Sequence, residues 1–126
     1  MANEKPTREI GMEGEEIALR YLLEKGYKLL QRNWHFGKYE VDLIIENNEY
    51  LVFVEVKFRS TNYFGEPEIF VSDKQKHNLV KAANRYINKY SVEKEARFDI
   101  VSIVMEHKKP KINHIEDAFS PKLNQF

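Results

Sequence analysis

Apolar residues between positions 40 and 57 fall in two short runs, Val41 with Leu43-Ile44-Ile45 and Leu51-Val52-Phe53-Val54 with Val56, separated by Asn47-Asn48-Glu49. Val, Ile and Phe favour a pleated, half-buried surface, and the Asn-rich interval is turn chemistry, so the pattern predicts a β-hairpin. Upstream, Ile10, Ile17, Ala18, Tyr21 and Leu22 recur at helical spacing and predict a helix over residues 7–25. Downstream, Leu79, Ala83, Tyr86 and Tyr90 form the apolar stripe of a second helix over 73–90, with Ser72 and Asp73 as candidate caps. Shorter runs predict strands over 27–34, 97–106 and 111–116, the last two joined by a turn containing Pro110, and a loop over 59–67. Strands grouped together with helices on their faces predict an α/β domain of the layered α+β kind, with a mixed central sheet.

Charged residues interrupt the hairpin strands. Side chains alternate across a sheet with a period of two, so Glu40 and Asp42 share a face of the first strand, and Glu55 and Lys57 share a face of the second. For registers across this turn, antiparallel partners sum to an odd number, which puts all four on one face. Burying unpaired carboxylates costs several kcal/mol each, so such a cluster needs a cleft, a partner or a cation. Mg²⁺ or Mn²⁺ fits, because Mg²⁺ takes oxygen ligands and usually keeps several waters beside one or two carboxylates and substrate phosphate oxygens. Asp42 and Glu55 suit that role. Lys57 could then orient or deprotonate a water and offset transition-state charge, which together is the chemistry of phosphodiester hydrolysis.

A Glu-x-Lys pair alone is weak evidence in a chain whose residues are 32% charged. The simpler reading is a buried structural ion pair, and Glu40 has the further alternative of pairing with Lys57 or Lys38. The flanking Leu, Val and Phe set Glu55 apart from a solvated run such as Glu93-Lys94-Glu95.

Asp42 followed by Glu55-Val56-Lys57 resembles the D…(D/E)xK signature of the restriction-endonuclease-like nucleases. More closely, Gly11-Met12-Glu13-Gly14-Glu15, Gly26-Tyr27, Arg32-Asn33-Trp34, the hairpin runs through Arg59, Phe64-Gly65, Lys74-Gln75 and Arg97-Phe98-Asp99-Ile100-Val101 resemble the YraN-like family of bacterial proteins, related to the archaeal Holliday-junction resolvases. The resemblance spans roughly residues 11–103. One departure is Tyr39, where the family usually has Gly. The resemblance implies a restriction-endonuclease-like fold with helices flanking the sheet. It also implies a DNA endonuclease of repair or recombination acting on branched or structured DNA.

It further implies that Glu15 completes the acidic cluster as a third metal-binding and catalytic carboxylate. On the helical wheel Glu15 lies at the edge of the apolar stripe, in line with Gly11, Ala18 and Leu22, while Glu9, Glu13 and Glu16 read as solvated charges near a helix N-terminus. Gly11 and Gly14 each lower helix propensity by about 1 kcal/mol relative to Ala, so something close-packed or ligand-like is expected against that turn. Plain helix-to-sheet contact is the alternative for Glu15.

At 126 residues the chain has room for one core, expected over 7–118, with 1–6 and 119–126 as flexible ends. There is no cysteine, no apolar run of signal-peptide kind and no span long enough for a membrane, which points to a cytoplasmic protein. Twenty basic residues balance twenty acidic ones, yet residues 74–97 hold seven basic and two acidic, a local excess of +5. Lys74, Lys76 and Lys81 are candidate phosphate contacts, with Arg59 nearer the chemistry and Gln75 able to reach the cleft. A solvated amphipathic face explains the same lysines. Tyr63 and Phe64 could stack on unpaired bases or pin their loop. The four histidines lack zinc-ligand spacing. These residues point to a metal-dependent nuclease acting on DNA. The alternatives are a nucleic-acid-binding or repair-accessory module with little or no catalysis, and a protein-interaction domain. A homodimer is compatible with each.

Overall fold

In a computed structural model, the described residues are 7–59 and 71–120, with side chains from residue 13 onward. Among them the elements run α1 (Thr7–Glu24), β1 (Lys28–Phe36), β2 (Tyr39–Glu46), β3 (Tyr50–Arg59), α2 (Asp73–Tyr90), β4 (Glu95–Glu106) and β5 (Lys109–Ile115). The side chains of Glu9 and Ile10, and the whole of Tyr63 and Phe64, lie outside the described residues.

The strands form one sheet in the order β1-β2-β3-β4-β5. Only the β3–β4 pair is parallel, and α2 lies in the crossover connection that a parallel pair requires. The fold is therefore α+β, a mixed sheet with a helix on each face, as the pattern predicted. Pro110 departs from expectation. The turn is His107-Lys108, both at positive φ (51° and 66°), and Pro110 sits inside β5 opposite Met105. β5 is an edge strand, where a missing N–H is tolerated.

Alternation along the central strands sorts the core onto two faces. Leu43, Ile45, Val52, Val54, Val101 and Ile103 pack with Ala18, Leu19 and Leu22 of α1. Ile44, Leu51, Phe53 and Phe98 pack with Leu79, Val80, Ala82, Ala83 and Tyr86 of α2. The α1 stripe is turned from the predicted one, with Leu19 buried while Ile17 and Tyr21 stay half-buried. Tyr90 is 47% exposed rather than buried, because α2 ends there and Ser91 turns into the left-handed region, leaving the ring tilted against Tyr86.

Ser72 caps α2 in a full capping box with Gln75. From that start α2 runs across the sheet. Lys76 lies over Phe119, which stacks on Phe98 of β4, whereas Tyr86 meets Trp34 of β1 edge-on and Arg85 lies over Phe36. The chain stays packed beyond the expected boundary at 118, since the Ala118 N–H donates to the Phe98 carbonyl at 2.7 Å and Phe119 joins the α2 core.

A polar network that the sequence did not reveal closes the far side of the sheet. Asp99, 1% exposed, accepts from Arg97 Nε and Nη2, pairs with His114 Nε2 and accepts the Asp117 N–H. Burial pulls the Asp99 carboxyl up, but His114, Arg97 and the Asp117 N–H outweigh it and hold the carboxyl below its usual range.

Candidate active site

The β2–β3 ladder stops at Leu43↔Val54, one pair short of Asp42 and Glu55. Alternation also breaks there. Val41 packs in the α2 core and Leu43 in the α1 core, although two residues apart they should share a face. The strands fork at this point, and the Asp42 carboxylate fills the fork by accepting the Val56 N–H at 2.8 Å. A side chain thus takes the backbone donor that a ladder partner would have bonded.

Glu55 and Lys57 follow on β3, with Lys57 Nζ 3.6 Å from Glu55 Oε2 and each side chain 20% exposed. Glu40 lies upstream on β2, exposed, and pairs with His35 Nε2 at 3.1 Å rather than with Lys57 or Lys38. His35 is its cross-strand partner in the β1–β2 ladder, which explains the choice.

Glu15 comes from α1. A Cβ on Gly14 would lie 2.6 Å from Phe58 Cβ, so only glycine lets this turn of α1 press onto β3 beside the fork. That contact is the close packing the glycines foretold. Arg32 of β1 ties the same stretch down through Glu16 at 3.2 Å, so Glu16 is paired rather than merely solvated. Asn33, at φ 49°, and Arg32 lie near enough to Glu15 to favour its charged form. Glu15 Oε1 is buried without a hydrogen-bond partner.

The electrostatics follow from that crowding. Asp42 is pushed up to about 8, first by burial and then by Glu55, with Glu15 and Glu40 adding to the rise and the Val56 N–H opposing it. Burial also raises Glu55, against the pull of Lys57, and Glu40 and Glu15 push the same way. Glu15 is raised by burial, against Asn33 and Arg32, with Glu40 again raising it. Glu15, Glu40, Asp42, Glu55 and Lys57 therefore act on one another as a cluster drawn from three elements. Among the described residues no three acidic, His or Cys side chains converge as a ready-made metal cage. Any cation here would take one or two carboxylates and complete its shell with water or substrate oxygens, as Mg²⁺ does.

Of the remaining candidates, Arg59 continues β3 two residues beyond Lys57, and the others belong to α2 and its cap. Arg59 ends β3 opposite Val104. Lys74 and Lys81 are exposed on α2, Lys76 lies over Phe119 on the β4 side, and Gln75 Oε1 accepts the Ser72 N–H in the capping box. Arg85 of α2 lies over Phe36 beside the tip of the β1–β2 hairpin, a position the linear pattern does not single out. Nothing in the linear pattern gives the angle at which α2 crosses the sheet. Asn33 was marked only as part of the Arg32-Asn33-Trp34 run.

No helix among the described residues is long and apolar enough to cross a membrane. Relatives share the chain nearly end to end. A protein of Phocaeicola vulgatus is 44% identical over 91% of this chain and 95% of its own length. One of Syntrophomonas wolfei is 48% identical over 89% and 98%, and one of Christiangramia forsetii 45% over 88% and 93%. All three are described as UPF0102 proteins. Among solved structures, SfsA of Pyrococcus furiosus in complex with Ca²⁺ overlaps with a TM-score of 0.33 at 17% identity, over 87% of this chain and 63% of that one. This chain thus spans less than two thirds of that protein, and so loose a likeness bears on neither site nor chemistry. The model of the uncharacterised protein family UPF0102 matches residues 14–103, which include Glu15, Asp42, Glu55 and Lys57, and the chain belongs to that family.

Proposed function

We propose that this protein is a nuclease that hydrolyses DNA phosphodiester bonds, branched or structured DNA in particular, with Mg²⁺ or Mn²⁺ as cofactor. The observation that carries the reading is the gathering of Glu15, Asp42 and Glu55 at the fork of β2 and β3, half-buried and mutually repelling, with Glu15 Oε1 unbonded. Such a set is costly as bare anions, and a divalent cation with a phosphate group relieves it. Asp42 and Glu55 would hold the cation, with Glu15 beside them. The cation would supply Lewis-acid stabilisation of charge at the phosphoryl group. Lys57 Nζ, kept near the site by Glu55, orients the attacking water or donates to a phosphoryl oxygen as negative charge develops. Asp42 stays fixed through the Val56 N–H, so the site keeps its shape between turnovers.

A second reading is a nucleic-acid-binding module of the same fold with little or no catalysis, and the exposed Lys74 and Lys81 on α2, away from the acidic cluster, fit it. Linear, flap and four-way DNA substrates incubated with Mg²⁺ or Mn²⁺ separate the two. Cleavage lost in both Asp42→Asn and Glu55→Gln supports the nuclease. Tight DNA binding with no cleavage of any substrate supports the module.

A further inference from the structure

The tip of the β1–β2 hairpin carries a cluster of aromatic rings and cations that the acidic site does not use. Phe36 is a large apolar residue left 38% exposed, and its ring stacks on Tyr39 with centroids 6.3 Å apart and planes 30° from parallel. The Arg85 guanidinium lies 4.7 Å from the Phe36 centroid and Lys38 Nζ 5.7 Å from that of Tyr39. Lys81, Arg85 and Lys89 recur every four residues along the exposed side of α2, whose only acidic residue is Asp73 at its far end. Spacing of four puts the three cations in one row along the helix. Gly37, at φ 58°, makes the turn that presents the two rings.

Exposed rings flanked by cations suit a chain that offers flat bases and regularly spaced phosphates. Base–aromatic stacking works for any base, and the row on α2 complements the backbone charge. A duplex keeps its bases stacked on one another, so the rings favour unpaired nucleotides. We propose that the hairpin tip and the C-terminal half of α2 dock unpaired nucleic acid, with Phe36 and Tyr39 stacking on bases and Lys81, Arg85 and Lys89 holding phosphates. In the free protein the flat guanidinium of Arg85 occupies a stacking position on Phe36. A base that displaces it releases Arg85 to the neighbouring phosphate. The inference rests on the nucleic-acid part of the proposed function and not on catalysis. In the β1–β2 ladder Phe36↔Tyr39 adjoins His35↔Glu40, whose side chains alternate to the other face, so the docking surface lies on the α2 side of the sheet and the acidic cluster on the α1 side.

The test is fluorescence anisotropy of a labelled oligothymidylate and of a blunt duplex, both in EDTA so that cleavage plays no part. Phe36→Leu keeps an apolar side chain and loses the ring, and Arg85→Gln keeps length and loses the charge. The proposal expects each to weaken oligothymidylate binding by about tenfold, with duplex binding changed much less for Phe36→Leu. Circular dichroism and melting confirm that both variants are folded, and Tyr39→Leu serves if either is not. Unchanged oligothymidylate affinity in the folded variants overturns the proposal. So does an equal loss on duplex for Phe36→Leu, or wild-type binding to duplex alone. Wild-type protein that binds neither probe overturns this inference and the nucleic-acid reading together. Specific binding without cleavage under Mg²⁺ supports this inference while removing the nuclease reading.

Discussion

Removing the Asp42 charge should stabilise the metal-free protein, and should do so increasingly as pH rises. The folded-state value is pushed up to about 8, whereas an aspartate in an unfolded chain titrates near 3.9. Between those values the folded state holds a proton that the unfolded state has lost, so stability falls as pH rises through this window and the contribution is intact only below about 4. At about 1.4 kcal/mol per pH unit the loss by pH 8 is on the order of 5 kcal/mol. Glu55, raised in the same direction, steepens the slope. Asn at position 42 does not titrate, and its carbonyl still accepts the Val56 N–H at the fork. Urea unfolding in EDTA should therefore give equal stabilities near pH 4 and an advantage of several kcal/mol for Asp42→Asn at pH 8. The corresponding difference in melting temperature is roughly 10 °C or more for a domain of this size. Mn²⁺ at pH 8 should raise the wild-type melting point and leave the variant unmoved, since a ligand of the folded state stabilises by mass action. A wild-type stability that stays level or rises from pH 5 to 8 relative to the variant would refute the reasoning.

Other outcomes follow from single contacts. Lys57→Met should slow single-turnover cleavage by about 100-fold or more with metal and DNA affinity little changed, whereas a less stable but fully active variant would assign Lys57 to structure alone. Gly14→Ala should gain about 1 kcal/mol of helix propensity yet lose more, about 1–3 kcal/mol, because Phe58 must move. Chemical denaturation reads the net loss, and Phe58→Leu in the same chain should recover part of it. Ser72→Ala should cost about 1 kcal/mol through the lost cap and leave metal binding untouched, as calorimetry with Mn²⁺ would show. Asp99→Ala should cost about 3–5 kcal/mol by stranding Arg97 in a buried site, with a matching fall in melting temperature.

Most of the architecture was legible because hydrophobic period reports element type directly. Both helices and the hairpin emerged nearly at their observed bounds, and the candidate caps Ser72 and Asp73 marked the start of α2, where Ser72 is the cap. The site was legible for a different reason. Asp42 and Glu55 stood out as carboxylates flanked on both sides by apolar strand residues. What stayed hidden depends on how elements meet. Alternation alone put Asp42 and Glu55 on one face, whereas the structure brings them together through a fork where alternation fails. The Arg97, Asp99 and His114 network joins residues far apart in sequence, and no local period announces it.

The fork also explains how a stable sheet can hold a destabilising cluster. The repulsion among Glu15, Asp42 and Glu55 is confined to the end of the β2–β3 ladder, where the backbone pairing has already stopped. A few residues inward, Ile44, Ile45, Val52 and Phe53 are fully buried, at about 2 kcal/mol for each side chain removed from water. The core can therefore tolerate several kcal/mol of electrostatic strain at the strand ends without fraying the centre of the sheet. Because Asp42 is held by the Val56 N–H and α1 presses through Gly14 onto Phe58, the carboxylates cannot relax by moving apart. They retain the strain until a proton or a cation relieves it; with Asp42 pushed up to about 8 a proton does so near neutral pH, and a cation would have to displace it, so metal binding would tighten as pH rises.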